Sequence, residues 1–140
     1  MEVLLIEKDP LVRDQVKVGL QQVADIHVTV GVGYAGINEV RSKHFDCVML
    51  GVDPRQKDTV KLLHHLRSID TKTELFVLTA PKNVRDMGHD KTKYNIHSFL
   101  LTPIQPKELF GLLGRMLERH AEAARKQQTR RGTPAPSSRR

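Results

Sequence analysis

The chemically capable side chains of this 140-residue chain collect at the ends of apolar runs. Glu7 and Lys8 follow "VLLI", Thr79 follows "LFVL" and Thr102 follows "SFLL". If those runs are neighbouring strands, one carboxylate, one ammonium and two hydroxyls stand together. The third run, "CVML" at residues 47–50, ends on Gly51, which offers only backbone atoms. Covalent catalysis needs a side chain with a nucleophilic atom, which glycine lacks. A hard cation wants several oxygen ligands, and Lys8 beside Glu7 sets a like charge next to any such ion. The spacing therefore describes a place where chemistry is usually mounted, without the groups that would perform it.

Other reactive residues are scattered. Seven histidines form no HxH or HExxH pattern, and the adjacent His64 and His65 diverge by about 100° on a helix, poor geometry for one ion. Cys47 is the single cysteine; it cannot build a disulfide framework or a thiolate cluster, and its apolar run marks it as an inert core residue. "GVGYAG" at 31–36 is glycine-rich but lacks GxGxxG spacing, so it reads as a turn rather than a nucleotide cradle. No metal site, cofactor or enzymatic activity is expected.

Positioning these residues requires an α/β scaffold. Residues 2–124 alternate apolar runs with helical patterns, as βα units around a parallel sheet do. The runs at 3–6, 47–50 and 75–78 are continuously apolar, as strands covered on both faces are, whereas "DIHVTV" alternates and suits an edge. In the first helix Asp9 is placed to cap, Pro10 takes the first position, and Val12, Val16, Leu20 and Val23 recur at helical spacing. Further helices are expected over about 34–43 and 58–69. A weak one, interrupted by Gly88, spans "PKNVRDMGHDKTKYN", and a strongly amphipathic one starts near 106 with Leu109, Leu112, Leu113, Met116 and Leu117 on one face.

The net charge of +7 is uneven. Residues 115–140 hold eight Lys/Arg against Glu118 and Glu122, a balance of +6, so the body of the chain is nearly neutral. After Ala124 the apolar pattern stops. A segment with no aliphatic side chain larger than alanine cannot offset chain entropy by burial, so residues 123–140 are expected to be a disordered basic tail carrying Arg125, Lys126, Arg130, Arg131, Arg139 and Arg140. Such a tail can bind phosphate backbones without sequence specificity, although it has no aromatics for stacking and no apolar anchors for a bilayer. No run approaches the length of a membrane span and no basic leader precedes the first apolar run, which points to a cytoplasmic protein.

In order and spacing, "LLIEKDP", "FDCVML", "VLTA" and "FLLTPIQPKEL" resemble the receiver domain of bacterial two-component response regulators, over about residues 1–122. The resemblance implies a CheY-like, flavodoxin-like (βα)5 fold with a five-stranded parallel sheet of order 2-1-3-4-5. It implies two acids after the first strand, an acceptor aspartate ending the third, a Ser/Thr ending the fourth and a lysine before a proline after the fifth. Glu7 and Thr79 keep the pattern; Lys8, Gly51 and Thr102, before Pro103, depart from it. The departures support one another, as in a site abandoned as a unit. Asp53 is the alternative acceptor, but it would sit about 6–7 Å further along an extended strand, and with Pro54 it reads as a turn. Phe99 matches the family's aromatic switch position. With Tyr94 and Lys107 it marks an expected docking face for signalling or regulatory proteins, formed by the fourth helix, fifth strand and last helix. A homodimer and nonspecific nucleic-acid binding through the tail stand as further expectations.

Overall fold

Asp9 starts the first helix by the mechanism its position suggests: its Oδ1 accepts from the backbone N–H groups of Leu11 at 2.9 Å and Val12 at 3.4 Å, and Pro10 needs no partner. The structure, a computed structural model, describes the backbone of residues 1–132 and the side chains of residues 1–128. In order the elements are β1 (Glu2–Ile6), α1 (Pro10–Gln21), β2 (His27–Val30), α2 (Gly33–Ile37), β3 (Cys47–Gly51), α3 (Lys57–Ile69), β4 (Glu74–Thr79), α4 (Pro81–Val84), α5 (Gly88–Lys93), β5 (Ser98–Leu101) and α6 (Pro106–Gly132). Short 3-10 turns follow α2 and α4.

All pairings are parallel, in the order β2-β1-β3-β4-β5. Alternate side chains of the central strands feed two cores. Val3, Leu5, Met49, Phe76 and Leu78 pack with α1 and α6, while Leu4, Val48, Leu50, Leu75 and Val77 pack with α2 and α3 on the other face. β2 forms one edge; of the two valines that its alternation sets inward, Val28 packs against the core and Val30 is exposed. The weak fourth helix resolves into two short pieces, α4 and α5, with Gly88 opening the second. Its return to the sheet is held by Arg67, buried in α3, which donates to the carbonyls of Tyr94 at 2.7 Å and Asn95 at 3.0 Å.

The last helix runs further than its apolar pattern. The segment from 123, expected to be disordered, is helical to Gly132, and residues 121–128 are exposed on every side. Alanine, arginine, lysine and glutamine are good helix formers, so "AEAARKQQ" prolongs a helix already nucleated by packing against the sheet. Arg139 and Arg140 lie outside the described residues, as do the side chains of Arg130 and Arg131.

Candidate functional site

The register of β1, β3 and β4 brings Glu7, Gly51 and Thr79 to one end of the sheet, because Ile6 pairs with Leu50 and Gly51 with Leu78. Thr102 joins them after β5, its N–H donating to the Thr79 carbonyl at 3.0 Å, and the Thr102–Pro103 peptide is cis. Together with Lys8, Asp53 and Asn83 they line an open cavity of about 650 Å³. The residues singled out at the strand ends in the sequence therefore do share one site.

Gly51 is buried, and the end of the Glu7 side chain lies over it. A Cβ built there would lie 2.7 Å from Oε2 of Glu7, 2.5 Å from its Cδ and closer still to Oε1. The Glu7 carboxylate has taken the volume that any other residue at 51 would need. Its Oε2 accepts from the Asp9 N–H at 3.1 Å. Burial pushes the Glu7 carboxyl above its ordinary value, against the opposing pull of the backbone N–H groups of Asp9 and Lys8. Lys8 does not pair with it: the ammonium reaches across to Asp58 on α3, at 3.0 Å.

Thr79 is buried and its hydroxyl accepts from Asn83 Nδ2 at 3.1 Å. Asn83, buried on α4, was not foreseen from the sequence; its spacing of four residues from Thr79 is the only local sign of the contact. Asp53 is occupied elsewhere. Its Oδ1 accepts from Arg55 N at 3.0 Å and lies 3.4 Å from Arg55 Nε, while its N–H donates to the Thr59 hydroxyl at 3.0 Å. The Arg55 backbone N–H, ahead of its side chain, holds the Asp53 carboxyl below its usual value. These contacts are those of a turn. Among the described residues no group of three or more His, Cys, Asp or Glu side chains is placed to hold a metal ion.

The strand order and two-sided helical cover decide the architecture. The fold is the CheY-like receiver fold. No family model and no curated protein sequence matches the chain, but solved receiver structures do. The chemotaxis response regulator CheY4 of Vibrio cholerae superposes with a TM-score of 0.68 at 19% identity, covering 82% of this chain and 97% of that one. The REC domain of AraT, a response regulator from Geobacillus stearothermophilus, gives a TM-score of 0.73 at 13% identity, covering 88% and 97%. The signal receiver domain of an HD domain-containing protein from Pseudomonas fluorescens Pf-5 gives 0.72 at 20% identity, covering 89% and 92%. At such identities the likeness is one of fold.

Within this receiver fold the three residues expected on the docking face are not equivalent. Phe99 is half-buried on β5 against the α3 side of the core, and Lys107 is exposed at the start of α6. Tyr94 is buried, its ring edge-on to His64 of α3 with 6.1 Å between centroids. It therefore anchors the turn before β5 and presents little surface to a partner. His65 diverges from His64 and meets Asn38 at 2.9 Å. Cys47 is buried, and desolvation pushes its thiol well up, out of the reactive range. No helix among the described residues is long and apolar enough to cross a membrane.

Proposed function

We propose that the chain is a pseudo-receiver: a phosphorylation-independent adaptor of a bacterial two-component or related regulatory pathway, acting in the cytoplasm by binding signalling proteins rather than by catalysis. The observation that carries this reading is the pair Gly51 and Glu7. The end of β3 has no oxygen nucleophile, and the space where one would stand is filled by a carboxylate from β1. Lys8, turned to Asp58, and Thr102, in place of a lysine, fit the same loss. Without a phosphoryl group to draw on Thr79, the state of Phe99 would be set by a partner. The docking face is then the one formed by α4, α5, β5 and the start of α6.

Two measurements test the reading. Intact mass after incubation with acetyl phosphate and Mg²⁺ should show no phosphoryl adduct; an adduct lost in Asp53→Asn would replace the adaptor by an active receiver. Phe99→Ala should weaken capture of protein partners from lysate, and unchanged capture would remove the face assigned here. A second reading is supported by the exposed helix beyond His120, which carries Arg125 and Lys126. It could bind nucleic acid through phosphate contacts. It expects capture by residues 1–124 to collapse, and capture by the full chain to be lost after nuclease treatment.

A further inference from the structure

The cavity at the carboxyl ends of the strands leaves several hydrogen-bond acceptors without donors. Asn83 is only 5% exposed, and its Nδ2 donates to the Thr79 hydroxyl. Its Oδ1 meets no donor among the described residues, yet no side-chain polar atom sealed from solvent is left unpaired, so this oxygen opens into the cavity that Asn83 lines. The Thr102 hydroxyl, on the same cavity, has no partner among the described residues either. Both side-chain contacts of the Asp53 carboxylate use Oδ1, which leaves Oδ2 uncommitted. Glu7 adds a partly desolvated carboxylate answered by backbone N–H groups.

The cations that line the cavity are turned elsewhere. Lys8 goes to Asp58 at 3.0 Å, Arg55 lies 3.4 Å from Asp53, and the exposed Lys82 draws on Asp53 as well. None of the three is ion-paired with Glu7. An occupant that satisfied these oxygens would carry a positive charge and several donors. A metal ion lacks its ligands, because no group of three or more His, Cys, Asp or Glu side chains among the described residues is placed to hold one. An ammonium or guanidinium group has three to five N–H donors on one charge and accepts a mixed set of carboxylate, amide and hydroxyl oxygens. The volume of about 650 Å³ suits a small molecule, and Pro10, Val52, Leu78 and Ala80 supply an apolar wall for a short aliphatic stem. The net charge of +7 repels organic cations from the chain as a whole, so one that binds here does so for a local reason.

We propose that the strand-end cavity binds a small organic cation, an alkylamine or alkylguanidine, with its charged head on the Glu7 carboxylate and its remaining donors on the uncommitted oxygens of the cavity. This goes beyond the adaptor reading and uses neither Phe99 nor the docking face, so the outcome of partner capture leaves it untouched. The test is an NMR titration of the full-length protein with agmatine at constant pH and ionic strength. The amides of Gly51, Thr79 and Thr102 should shift together, half-saturating at about 1 mM or below. Glu7→Gln keeps the shape of the side chain, removes its charge and should weaken binding about tenfold or more. Asn83→Ala should weaken it about threefold or more, whereas Asp90→Asn, an exposed acid of α5 away from the cavity, should leave it unchanged. An absence of shifts up to about 20 mM agmatine would overturn the proposal. So would strand-end shifts that persist undiminished in Glu7→Gln, or inorganic phosphate moving the same amides at lower concentration than agmatine, which would make the cavity an anion site.

Discussion

The two ends of the sheet treat their carboxylates in opposite ways. At the amino end Glu2 meets His27 and Lys43, both at 3.1 Å, and Asp46 meets His44 at 3.0 Å and His120 at 3.6 Å. Glu74 takes Arg119 in a two-pronged contact at 2.9 and 3.2 Å, with His97 at 3.7 Å. Those pairs tie the starts of all five strands to a neighbouring strand or to α6. At the carboxyl end, among the described residues, Glu7 is held by backbone N–H groups alone, Lys8 reaches to Asp58, and the cavity stays open. Charge at the amino end serves cohesion. The carboxyl end keeps a partly desolvated acid, and the neighbouring ammonium of Lys8 is paired with Asp58 instead.

The sharpest way to break that contrast is at Gly51. Gly51→Ala should cost about 1–2 kcal/mol in urea unfolding, because the far end of the Glu7 side chain must turn aside and give up its Asp9 N–H contact. In a Glu7→Ala background at least half of that cost should vanish. Equal costs in both backgrounds would mean that the carboxylate does not fill the site. At the amino end Asp46→Ala should cost about 1–2 kcal/mol, since Asp46 Oδ2 accepts from the part-buried Glu2 N–H at 2.8 Å. A neutral result would remove the cohesive role assigned to that end.

The pH dependence of stability should separate the two ends by sign. Burial tends to raise Asp46, but the Glu2 N–H and then His44 outweigh it, leaving its carboxyl below the ordinary 3.8. Its contribution is therefore present above that value and lost as pH falls through the lower folded value. Glu7 is raised by burial above 4.5, so the fold holds its proton more tightly than the unfolded chain does. Its contribution is complete below 4.5 and is lost as pH rises through the folded value. Glu7→Gln should consequently raise the melting temperature at pH 7 by about 2 °C and give no gain below pH 4. A loss at pH 7 would reverse the assignment. This is the smallest of the expected effects.

How much of this was legible in the sequence follows from the range of each interaction. The strands, the Asp9 cap and the edge position of β2 are written in local patterns of two to four residues. The strand ends Glu7, Gly51, Thr79 and Thr102 followed from the same patterns, because a strand's end fixes what stands there. Which side chain answers which is a tertiary matter. The Lys8 contact with Asp58 spans 50 residues, and Arg67 reaches 27 and 28 residues ahead to hold the turn before β5. Neither leaves a periodic trace. Tyr94, expected on the docking face, is buried there for the same reason, since its place is set by His64 and the Arg67 anchor. "GVGYAG" held another such feature: a Cβ at Gly31 would lie 2.7 Å from the Gly36 Cα, so the two glycines mark a close backbone approach between the end of β2 and α2. The extension of α6 to Gly132 was missed because burial was the criterion, whereas propensity continues the helix there without it.

The contact between Glu7 and Gly51 also bears on history. Aspartate lies one base change from glycine in the genetic code, so on the reading proposed above the loss of an acceptor would look easily undone. The glutamate packed over Gly51 alters that only slightly. A side chain restored at 51 meets the Glu7 carboxylate and must first turn it out into the open cavity. On that reading Glu7 raises a small step against reversal, one that a change of rotamer can clear.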